Sequence, residues 1–93
     1  MSTITGIGEY RKEDYEEIKN ISSDKDNFYE SWEEWKAQKE RSKREFQGYG
    51  MVLIDIIVIP KELVKYCRER GLEINGKSRS EYIQNKVKRL NEK

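Results

Sequence analysis

Apolar residues are unevenly spread along the chain, and their spacing divides it into helical and extended stretches. One run stands apart: Met51-Val52-Leu53-Ile54-Asp55-Ile56-Ile57-Val58-Ile59-Pro60. It is the only long apolar stretch, β-branched residues fill most of it, and it reads as a single strand. Upstream, Tyr15, Ile18 and Ile21 recur at helical spacing, and Glu13, Asp14, Glu16 and Glu17 fill the early turns, where acids oppose the helix dipole. That pattern predicts a helix from about Lys12 to Asn20. Ser31-Trp32-Glu33-Glu34 matches a capping box, with Ser31 as N-cap. The helix it opens should run from Trp32 to about Gln47, with Gly48 just past its end. Trp32, Trp35, Ser42 and Phe46 share its one narrow face. We therefore expect anchoring at the Trp end and at Phe46, with a solvated middle. Thr3 to Gly8 reads either as a short edge strand or as a frayed terminus, and residues 22–27 as a polar linker.

After the strand, Pro60 fits the first position of a helix from Lys61 to Arg70, with Leu63, Val64 and Cys67 facing inward. Gly71 suits the left-handed end of that helix. Residues 73–77 read as a loop. Ser78-Arg79-Ser80-Glu81 is a second capping box, predicting a last helix from Arg79 to about Leu90 with Ile83, Val87 and Leu90 on one face. The fold class is α+β and mostly α: N-terminal helices, one central apolar strand and a C-terminal helix pair. It is a single domain of residues 1–93, with an N-terminal helical layer (1–50) and a strand-helix-helix unit (51–93).

The strand needs a partner, because an isolated strand leaves its backbone groups unsatisfied. Either it pairs with the weak Thr3–Gly8 segment or with its own copy across a two-fold axis. The second requires no other strand and is the preferred reading, so a homodimer is expected. Composition points the same way. Of 93 residues only 34% are hydrophobic and 40% are charged, which leaves a small core that gains from self-association. Ile54, Ile56 and Val58, with Asp55 between them, are the candidate assembly residues. Asp55 is expected to meet an Arg such as Arg79, to accept backbone N–H bonds, or to face water, since a buried unpaired carboxylate is costly.

The order of strand, Pro-led helix, loop and Ser-capped helix resembles the ribbon-helix-helix family. Ile57-Val58-Ile59-Pro60-Lys61-Glu62-Leu63 and Gly76-Lys77-Ser78-Arg79-Ser80-Glu81-Tyr82-Ile83 carry that resemblance, which covers about residues 51–90. It implies an obligate dimer with an antiparallel ribbon whose outward side chains read DNA. In that frame Ile59, Ile57, Asp55 and Leu53 point inward, and Val58, Ile56 and Ile54 would be the readers. Three aliphatic residues cannot hydrogen-bond to base edges, so the ribbon reads as a covered assembly element. The chain also resembles a family of short uncharacterised bacterial proteins, through Glu34-Trp35, Tyr66-Cys67-Arg68-Glu69-Arg70-Gly71-Leu72, Arg79 and Tyr82. That resemblance implies no activity.

Charge and candidate chemistry narrow the function. Residues 1–50 carry 9 basic and 12 acidic residues, net −3, whereas residues 51–93 carry 10 and 6, net +4. Lys77, Arg79 and Lys86 are the candidate nucleic-acid contacts, and Trp32 and Trp35 a candidate protein-partner patch. There is no His, which removes the usual neutral-pH base and the commonest zinc ligand. Cys67, the lone cysteine, falls at a core-facing helical position and fits a reducing, cytoplasmic setting. We expect no catalytic residue, no cofactor, no metal site and no membrane span. The reading is a non-enzymatic interaction or regulatory protein, antitoxin-like in kind. The alternative is a DNA-binding transcriptional regulator of the ribbon-helix-helix type.

Overall fold

The computed structural model describes residues 4–91, without the side chain of residue 91. Thr3, the first residue of the expected N-terminal strand, lies outside the described residues. In chain order the elements are β1 (Ile4–Glu9), α1 (Lys12–Ile21), a 3-10 turn (Lys25–Asn27), α2 (Trp32–Gly48), β2 (Val52–Ile57), α3 (Pro60–Arg70) and α4 (Gly76–Asn91). This is the expected α+β, mostly α chain. None of the described helices is long and apolar enough to cross a membrane.

The two strands pair in parallel, from Ile4 beside Val52 to Glu9 beside Ile57. The Val58 N–H extends the ladder to the Glu9 carbonyl at 3.0 Å. A parallel pair needs a long crossover, and α1 and α2 supply it. β2 therefore has a partner within the chain, on one edge. Alternation along the ladder turns the N–H and C=O groups of Leu53, Asp55 and Ile57 to its other edge.

The faces of β2 are the reverse of those inferred from the ribbon resemblance. Ile56 and Val58 are buried and Ile54 packs beside them, against Leu63 and Cys67 of α3 and Tyr82, Ile83 and Val87 of α4. Ile57 is 46% exposed. The cause lies on β1. Gly6 and Gly8 present no side chain to α4, so Ile83 and Val87 sit directly on the strand. A Cβ at Gly6 would lie 2.5 Å from Val87 and 2.8 Å from Ile83. The close approach of α4 draws the even-numbered residues of β2 into the core and leaves the odd-numbered face to α2.

Local signals set most helix ends. Ser31 accepts the Glu34 N–H at 3.1 Å. Gly71 adopts φ 64°, and the Leu72 N–H bonds the Cys67 carbonyl at 2.8 Å, closing α3. The start of α4 differs from expectation. It begins at Gly76 because Asn75 is the cap: the Asn75 side chain accepts the Ser78 N–H, and the Ser78 hydroxyl accepts the Asn75 N–H. Asn caps as well as Ser, so the reciprocal box closed one turn early. Two side chains also sit outside the expected anchoring: Phe46 and Leu90 are both exposed.

Candidate functional site

The middle of α2, expected to be solvated, carries the most buried charge among the described residues. Lys36, Lys39 and Lys43 follow one another at i, i+3 and i+7 and face the odd side of the sheet. There they meet Glu9 of β1 and Asp55 of β2. Lys39, only 6% exposed, bridges the two strands: it bonds the Glu9 carboxylate and, at 2.9 Å, that of Asp55. Lys36 holds Glu9 from one side at 3.0 Å, and Lys43 holds Asp55 from the other at 2.9 Å. Burial disfavours the charge on Glu9, yet the hydrogen bonds from Lys39 and Lys36 prevail and hold it below its ordinary value. Asp55 is lowered for the same reasons, with Lys39 and Lys43 as its partners. The Arg partner considered for Asp55 is elsewhere.

That Arg is Arg79, which leaves α4 towards the linker after α1. Its guanidinium takes both carboxylate oxygens of Asp24 at 2.8 Å, donates to the Ser22 hydroxyl at 3.0 Å and stacks over Phe28. Asp24 also accepts the Gly76 N–H at 3.0 Å, so one carboxylate holds both the side chain and the first turn of α4. The bond from Arg79 keeps the Asp24 carboxyl below its ordinary value. The segment that reads as a polar linker is thus a docking point for α4.

Trp32 and Trp35 belong to an aromatic cluster. Trp35 lies against Tyr10 and Tyr15, and Phe28 against the same two rings. The Trp32 indole N–H donates to the Tyr10 carbonyl at 2.7 Å and fixes the chain as it leaves β1. They pack where the chain leaves β1, which anchors the Trp end of α2 as its pattern predicts.

The remaining basic candidates do not converge. Lys77 is exposed in the first turn of α4, two positions from Arg79 and so on nearly the opposite side of the helix. Lys86 pairs with Glu62 at 2.6 Å, beside the Tyr82 hydroxyl that donates to the same carboxylate. Ile54, Ile56 and Val58, the assembly candidates, are occupied in the core of their own chain.

A cleft of about 410 Å³ runs along the outer edge of β1, between α2 and α4. Gly6 and Gly8 form its floor, Gln38 and Ser42 one wall, and Ser80 and Gln84 the other. Gln84 occupies part of the strand edge: its amide accepts the Gly6 N–H at 3.2 Å and donates to the Gly6 carbonyl at 2.9 Å. The molecule thus has two sheet edges of different character. The β1 edge is recessed and polar-walled. The β2 edge lies beside exposed Ile57 and Val52, with Phe46 and Tyr49 exposed in the segment that leads into the strand. Among the described residues no three His, Cys, Asp or Glu side chains gather as a metal site. Comparison of the chain with family models, with curated proteins and with solved structures finds no match.

Lys39, Glu9, Asp24 and Gln84 were not singled out from the sequence. The i, i+3, i+7 stripe of Lys36, Lys39 and Lys43 was a readable signal for a basic helix face. Its acidic partners could not be read, because they stand on two strands far away in the chain.

Proposed function

We propose that this is a non-enzymatic interaction protein that self-associates through the free edge of β2, with a regulatory role that follows from the assembly. The observation that carries the proposal is the coincidence of a strand edge that is unpaired among the described residues with exposed apolar side chains, Ile57 at 46% and Val52 at 44%. Such an edge is a template for another strand. A second copy, joined antiparallel, would extend the sheet to four strands in the order β1-β2-β2-β1. A register centred on Ile56 sets Asp55 of one copy opposite Ile57 of the other and keeps the two carboxylates apart. Phe46 and Tyr49, exposed just before β2 in the chain, offer further apolar area.

The alternative, a DNA-binding regulator, draws less support. Arg79 is committed to Asp24 and Lys86 to Glu62, and the aliphatic face of β2 is buried. The test of self-association is solution mass by light scattering at micromolar to millimolar chain concentration. We expect twice the 11.2 kDa of one chain for wild type. Ile57→Lys places a charge at the edge without touching the core, and should return the monomer mass with an unchanged circular dichroism spectrum. A wild-type chain that stays at 11.2 kDa throughout would overturn the proposal.

A further inference from the structure

We propose that the recessed edge of β1 binds an extended acidic peptide by strand addition, independently of any pairing at β2. Three observations lead there. The alternation of the ladder turns the backbone groups of Gly6 and Gly8 away from β2, and both residues floor the cleft. The Gln84 amide already makes on Gly6 the paired N–H and C=O bonds that one residue of a neighbouring strand would make. Gly8, facing the same way, opens onto the cleft beyond it. The edge is therefore one that another backbone can continue, in the mode known as β-augmentation.

The charge of the occupant follows from the lining. Among the described residues, Lys39 and Arg79 are the only Lys, Arg, Asp or Glu residues that line the cleft. Their carboxylate partners, Glu9, Asp55 and Asp24, are not among the lining residues, so both ion pairs present their cationic member to the cleft. An added strand would send alternate side chains towards α2 and towards α4. Acids on the α2 side would meet Lys39, and small apolar side chains on the other would meet Ile83 and Ser80.

The probe is the blocked hexapeptide acetyl-Val-Glu-Val-Glu-Val-Glu-amide, titrated into the 15N-labelled full chain, with the Lys-for-Glu peptide as control. We expect saturable shifts of the Gly6 and Gly8 amides with the acidic peptide and none with the basic one. Gln38→Glu combined with Ser42→Glu reverses the wall charge at positions outside the core, and should weaken binding at least tenfold. Gln84→Ala frees Gly6 and should tighten it severalfold. The proposal is overturned if the Gly6 and Gly8 amides do not move at millimolar peptide, if the basic peptide moves them equally, or if shifts centre on Leu53 and Ile57 instead.

Discussion

Lys39 is the residue on which the two strands and α2 depend together. It is buried, yet its charge has two carboxylates within reach and the Trp35 ring beside it. A buried charge is tolerated only when so paired. Lys39→Met keeps the length of the stem and removes the charge, leaving Glu9 and Asp55 with one lysine each. The Asp55 side chain is 42% exposed, so water relieves part of the loss. We expect a destabilisation of about 1–3 kcal/mol, read by urea unfolding. Lys36→Met should cost clearly less, because Lys36 is one-third exposed and serves a single strand. Equal effects would show that Lys39 has no special place. At this scale the sequence was partly legible. It marked Asp55 as a residue needing a partner. It could not supply Lys39, because spacing along a chain says nothing about which strand lies under a helix.

Among the elements, β1 is the one whose weakness on paper conceals its role. Its alternation of small residues with Ile gives little strand propensity. The same glycines allow α4 to lie directly on the sheet, and that contact decides which face of β2 is buried. Gly6→Ala would drive a Cβ into Val87 and Ile83. We expect a loss of about 1–3 kcal/mol in thermal or urea unfolding, with the melting curve still cooperative. Gly48→Ala, where a Cβ meets nothing, should be neutral or slightly stabilising, since Ala is the better helix former. The helices were readable in sequence because their signals are local: a capping Ser31, a leading Pro60, a left-handed Gly71. The start of α4 was misplaced by one turn only because two adequate caps, Asn75 and Ser78, stand three residues apart.

For the whole molecule, the ionisable groups set a pH window. Glu9, Asp24, Asp55 and Glu62 all have carboxyl pKa values held below their ordinary values in the folded chain. Their contribution is complete above those ordinary values, 3.8 for Asp and 4.5 for Glu, and fades as pH falls below them through the lowered native values. At the other end, burial pushes the Tyr15 and Tyr82 hydroxyls up to about 12. Their neutral forms are favoured by folding, so that contribution is complete below 10.0 and is lost as pH rises towards 12. Stability measured by chemical unfolding should therefore be level with respect to these groups between about pH 5 and pH 9.5, and fall on both sides. Lys39→Met should shallow the acid limb, because Glu9 and Asp55 would then be held less far below their ordinary values. An unchanged acid limb in that variant would place the acid sensitivity elsewhere.

The sequence by itself determined the four helices and their order, most of their boundaries, the burial of Cys67 and the existence of one dominant strand, and left β1 open. Each of these rests on residues a few positions apart, where propensity and capping act. Tertiary structure alone decided that β2 pairs in parallel with β1, that its even-numbered face is the buried one, and that Lys39, Asp24 and Gln84 hold the layers together. Those contacts join residues 30, 55 and 78 positions apart. They form only once the whole chain is packed, because no local preference of Gly6, Asp24 or Lys39 points towards its partner.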